Sequence, residues 1–124
     1  MTHLFAIAAG GALGALSRYG VTQGVHSVLG RGFPYGTLTA NVLGSLAIGI
    51  LYVYLVERLD ASPELRGFLI VGFLGAFTTF SSFSLETINL LAQGEMGKAF
   101  TNILLSVLLC LAATWSGIMM ARQF

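Results

Sequence analysis

Four long apolar stretches, at about 4–25, 37–56, 67–92 and 99–121, take up most of this chain. Each holds about 20 residues or more. At about 1.5 Å rise per residue, a helix of that length crosses a hydrocarbon core of about 30 Å. In lipid every backbone polar group must find its partner within the protein, which restricts spanning segments to helices and closed barrels. Barrel strands have about ten residues and alternate in polarity. These stretches are twice as long and do not alternate. We therefore expect an all-α membrane protein with four transmembrane helices, forming one transmembrane domain over 1–124.

The segments between the stretches contain Arg31 and Pro34, then Asp60 and Pro63, then Gly94 and Gly97, which are turn formers. They are too short to hold a soluble domain. Charged residues make up only 9% of the chain, against about a quarter in a soluble protein. Net charge is +1, with no basic run. That argues against a nucleic-acid partner and leaves membrane lipid as the surrounding medium. The single Cys110 rules out an internal disulfide and a cysteine metal cluster. No nucleotide-binding motif appears, and the chain is read as a non-enzyme. Ala6-Ile7-Ala8 has the look of a leader cleavage site, but only Met1-Thr2-His3 precede the apolar run. We expect the first stretch to be kept as a helix.

Positive charge gives no orientation. Arg58, Arg66 and Arg122 fall on one side of the expected membrane, and Arg18, Arg31 and Lys98 on the other or near it. Topology follows the excess of Lys and Arg. Three against three points to insertion both ways, with the two orientations pairing as an antiparallel homodimer; the alternative is that a weak bias or the first helix still fixes one orientation. Many transport folds use two halves related by inversion; here one short chain would supply both. Gly10 and Gly14, Gly11 and Ala15, and Gly36, Ala40 and Gly44 place small residues four apart, which allows close helix packing.

Two polar stripes run along apolar helices. Thr37, Asn41 and Ser45 share one face of the second helix, and Ser106, Cys110 and Thr114 one face of the fourth. Such groups serve either as interhelical hydrogen bonds or as the lining of a path. The third helix is the unusual element. Thr78, Thr79, Ser81, Ser82 and Ser84 follow Gly72 and Gly75. This density of hydroxyls competes with helical backbone bonding, and glycine adds backbone freedom. We expect a break or unwound turn near Gly75–Thr79, close to the membrane middle, where irregular backbone has to be buried or line a cavity. Freed carbonyls there suit a small cation. Phe77, Phe80 and Phe83 recur every three residues. They either pack as ordinary aromatics or turn their electropositive edges toward a small anion. Arg18 and Glu86 are charges within the stretches; each either reaches headgroups or water, or lines a vestibule.

The runs Gly10-Gly-Ala-Leu-Gly-Ala-Leu-Ser-Arg18-Tyr19, Gly36-Thr-Leu-Thr-Ala-Asn41 and Thr78-Thr-Phe80-Ser-Ser-Phe83-Ser84, followed by Glu86, resemble the bacterial CrcB/Fluc fluoride channels over the whole chain. The resemblance implies a dual-topology homodimer with two antiparallel pores. It implies a structural sodium ion at the dimer centre, held by the backbone carbonyls of Gly75 and Thr78 from each copy. It places the pore phenylalanines at Phe80 and Phe83, the pore asparagine at Asn41, and Ser81 and Ser82 beside the rings. Thr37 joins the pore lining. The helix-four polar track falls on Ser106, Cys110 and Thr114, and the vestibule pair on Arg18 and Glu86. Ala76 stands where a second glycine is common in the family, and Ser82 where threonine is. Cys110 stands where a hydroxyl is more frequent, and a thiol is a weaker donor.

The function this implies is passive, fluoride-selective conduction across a bacterial inner membrane, which lowers fluoride toxicity. A proton-coupled multidrug exporter of similar size is the main rival; it would need a carboxylate on the first helix, where only Arg18 is charged. A scaffolding membrane protein would account for the small-residue faces but not for the hydroxyl-rich third helix.

Overall fold

The computed structural model describes residues 1–124. The chain is all-helical: α1 (Thr2–Leu29), α2 (Tyr35–Arg58), α3 (Pro63–Ala92) and α4 (Met96–Gln123). All four are long and apolar enough to cross a membrane, so the chain is a multi-pass membrane protein. The helices extend beyond the apolar stretches, because polar residues at their ends still complete the last turns.

Local chemistry explains the helix ends. Ser62 accepts the N–H of Leu65 at 3.2 Å ahead of Pro63, so α3 starts with a side-chain cap and a proline that has no N–H to leave unpaired. At the other end Gly94 has φ 81°. The Glu95 N–H reaches Leu90 O at 2.8 Å and the Gly94 N–H reaches Leu91 O at 3.0 Å. This pair of bonds closes a left-handed glycine cap. Wide π-type turns over Tyr52–Arg58 and Gly67–Leu74 were not expected from the sequence pattern.

Small residues set the packing. A Cβ on Gly10 would collide with the carbonyl of Phe68, and one on Gly14 with that of Phe73. α1 therefore lies backbone-to-backbone against the first half of α3. Gly49 and Gly117 play the same part between α2 and α4, facing Thr114 O and Leu46 O. Ala40 is fully buried. Close approach of this kind takes the place of the hydrophobic drive that lipid cannot supply. At the helix ends, Arg122 grips Glu57 with two bonds of 3.2 and 2.8 Å, joining α4 to α2. Outward faces carry exposed apolar side chains such as Leu16, Leu104, Leu108 and Trp115.

Candidate functional site

α3 is interrupted near its midpoint. Thr78 (φ −88°, ψ 156°) and Thr79 (φ −153°, ψ 115°) are extended, and the helix restarts at Phe80. The interruption lies inside the interval expected from the hydroxyl run. It leaves backbone groups without helical partners, and side chains from three helices take them up. The Thr79 N–H donates to Asn41 Oδ1 at 2.7 Å, and Asn41 Nδ2 donates back to Thr79 O at 3.1 Å. Thr79 Oγ1 caps the second half of α3 by accepting the Ser82 N–H at 3.1 Å. Arg18 Nε donates to Ala76 O at 3.0 Å, while its Nη1 lies 3.5 Å from Ser82 Oγ. Gly44 makes room, since a Cβ there would strike the Thr78 methyl and crowd Phe77. With the Thr79 N–H turned to Asn41, the Gly75 carbonyl loses its helical donor.

Two hollows meet at this break. The larger, about 520 Å³, is mostly apolar; its walls include Asn41, Ser45, Gly75, Thr78, Phe80, Phe83, Ser106 and Cys110. The other, about 440 Å³, is the more polar of the two, with Arg18, Tyr19, Thr22, Thr37, Ser82 and Glu86. Thr79 lines both. The Asn41–Thr79 pair thus forms the partition between a polar hollow and an apolar one.

The residues singled out in the sequence divide accordingly. Phe80 is 77% exposed and Phe83 half-buried, with ring centroids 5.2 Å apart and a tilt of 48°. Phe77 points the other way: it is buried and stacked on Phe73 at 5.9 Å, so it belongs to the packing. Ser106 and Cys110 reach the apolar hollow, and Thr37 and Ser82 the polar one. Ser81 is exposed and sits 3.2 Å from the Thr79 hydroxyl. Thr114 is not on either wall; its hydroxyl donates to Ser45 O at 3.0 Å and ties α4 to α2. Arg18 does not extend toward headgroups, because the break holds it. Glu86 borders the same hollow as Arg18 without forming an ion pair with it, and its Oε1 is buried with no partner.

Two polar residues on this side escaped the sequence reading. Asn102, 2% exposed, donates from Nδ2 to Thr87 Oγ1 at 2.9 Å, and Thr87 donates to Phe83 O at 2.7 Å. The signal was present: Asn102 continues the stripe of Ser106, Cys110 and Thr114 by one turn. No cluster of His, Cys, Asp or Glu could hold a metal. The oxygens available to a cation at the break are carbonyls, and Gly75, exposed at the hollow, offers one without a helical partner.

The sequence matches known proteins along most of its length. Residues 5–118 match the family model described as CrcB-like protein, Camphor Resistance (CrcB). A curated Methylococcus capsulatus protein named Fluoride-specific ion channel FluC is 54% identical over 97% of this chain, which spans about half (53%) of that relative's length. Proteins of the same name from Hydrogenovibrio crunogenus (52% identical) and Geobacter sulfurreducens (50% identical) match 98% and 99% of this chain, and 92% and 99% of their own lengths.

Proposed function

The chain belongs to the CrcB-like family, and from that premise we propose that it is a fluoride-selective channel that lets fluoride leave the cytoplasm passively. Relatives of nearly the same length carry the fluoride-channel name. The observation that carries the reading in this chain is the break itself. An amide from α2 holds two extended threonines open between a polar and an apolar hollow, with a phenylalanine pair and Ser106 on the far side.

Fluoride is small and strongly hydrated. Its path needs donors that replace water without trapping the ion. Asn41 retains one amide hydrogen beyond that given to Thr79, and a hydroxyl and ring edges add weak donors. Arg18 brings positive charge to the polar hollow, but its bonds to the break keep it from closing on an anion in the path. The driving force needs no pump. An inside-negative potential moves a monovalent anion outward with about 2.3 kcal/mol per 100 mV.

In this reading the break lies near mid-membrane, in the bacterial inner membrane. Two oppositely inserted copies face each other across the apolar hollow, so that each pore is completed by the partner. The even split of positive charge supports dual insertion. A sodium ion at the junction fits the donor set, because unwound carbonyls such as those of Gly75 and Thr78 are hard oxygen ligands. Bound there, it would supply positive charge that satisfies carbonyls from both copies. Nothing favours the proton-coupled exporter: α1 carries no carboxylate.

Liposome efflux tests the proposal. We expect fluoride release without chloride release or proton coupling. Drug–proton exchange, or release of both halides alike, would sink it.

A further inference from the structure

Asn102 is nearly fully buried, four residues from Ser106, and no path-lining role accounts for it. Its bonds form a chain whose direction is forced. The Phe83 carbonyl can only accept, so the Thr87 hydroxyl must donate to it, at 2.7 Å. The Thr87 oxygen must then accept, which turns the Asn102 NH2 toward it at 2.9 Å. That leaves Asn102 Oδ1 facing Ser106, whose hydroxyl therefore donates, over a long 3.4 Å. The carbonyl of one hollow-lining phenylalanine thus dictates where the proton of a hollow-lining serine points.

We propose that Asn102 and Thr87 are positioning residues for anion conduction: they hold the Ser106 hydroxyl toward a weak internal acceptor, from which it can rotate to donate a hydrogen bond to a passing anion and then rotate back, the proton staying on Ser106 throughout. This rests on the fluoride-channel reading and adds a device to it. A donor held permanently toward the path would bind fluoride tightly and release it slowly, whereas a parked donor lends itself at small cost. The 3.4 Å separation is what makes the loan cheap.

Thr87→Val tests the idea, because it removes the hydroxyl while keeping the shape. The Asn102 NH2 would then face a methyl, leaving its donors unpaired. Turning the amide over is better, since its NH2 then donates to Ser106 and the Ser106 proton must turn outward to the hollow. The expected result is a split. Half-saturating fluoride falls about tenfold, the ratio that corresponds to about 1.4 kcal/mol, and the maximal current falls as well. Thr87→Ser, which restores the hydroxyl, behaves as wild type in both. Currents in planar bilayers against fluoride concentration read both quantities, and elution volume in detergent confirms an unchanged assembly. Wild-type behaviour of Thr87→Val overturns the proposal, as does an equal change in Thr87→Ser. Maximal current lost without a change in half-saturation also overturns it and marks a merely structural role. If wild-type protein passes no fluoride, the channel reading itself fails first.

Discussion

Replacing Asn41 by aspartate probes the partition directly. The two side chains have nearly the same shape, so packing around α2 is preserved. Aspartate still accepts the Thr79 N–H, now as a charged acceptor, which strengthens the 2.7 Å bond. It cannot donate to Thr79 O, so the 3.1 Å bond is lost and two oxygens face each other. A half-buried carbonyl left unpaired costs about 1–3 kcal/mol. The stronger acceptor offsets part of this, so the fold should survive with a loss of about 1–2 kcal/mol. Conduction responds far more. A fixed negative charge about 4 Å from an anion's path repels it by about 4 kcal/mol at an effective dielectric of 20. That corresponds to about a thousandfold slower passage. Fluoride efflux from liposomes with an ion-selective electrode measures the rate, and size-exclusion chromatography in detergent measures the assembly. Efflux within about threefold of wild type would refute the placement of Asn41 beside the path.

Phe80→Ile should stop fluoride efflux while leaving assembly intact, because it removes the exposed ring that faces Phe83 but keeps the bulk; unaltered efflux would take Phe80 out of the path. Gly14→Ala should lower thermal stability in detergent by about 2 kcal/mol or more, since its methyl meets the Phe73 backbone and nothing flexible can yield; an unchanged melting temperature would contradict the α1–α3 contact. Thr114→Val should cost about 1 kcal/mol of stability and leave fluoride efflux within about twofold of wild type, because its hydroxyl serves Ser45 O rather than a hollow; loss of efflux would restore it to the polar track. Arg18→Lys should slow efflux several-fold even though the charge is kept, since a lysine cannot hold both Ala76 O and Ser82 Oγ with one planar fork; wild-type rates would make Arg18 a matter of charge alone.

Helix number and type could be read from the sequence because lipid allows so few backbone solutions. The break could be read too, since Thr78, Thr79, Ser81 and Ser82 crowd one turn with groups that compete for backbone bonds. What could not be read was which side chains would answer that break. Asn41 and Arg18 lie 38 and 58 residues from their bonded partners Thr79 and Ala76, and no local pattern encodes such pairings. Spacing also cannot tell two uses of one stripe apart. Ser106 and Thr114 share a face of α4, yet one borders a hollow and the other is spent on a neighbouring backbone. Phe77 and Phe80 are three apart, yet the extended residues between them turn one inward and leave the other exposed.

The groups left unsatisfied bear on whether one copy suffices. Around the break, Ala76 O, Thr79 O and the Thr79 N–H all find side chains within the same chain. The Gly75 carbonyl loses its helical donor, the Thr79 N–H, to Asn41, and Gly75 lines an apolar hollow together with an exposed Phe80. In water these groups would be hydrated at little cost. At membrane depth an unpaired carbonyl costs several kcal/mol and lipid tails offer it nothing. A ring edge facing lipid gains no more than any aliphatic group, whereas one facing an anion gains electrostatically. Gly75 and Phe80 both line the apolar hollow. In the proposed antiparallel pair, a second inverted copy would cover that hollow, which a lone chain leaves to lipid.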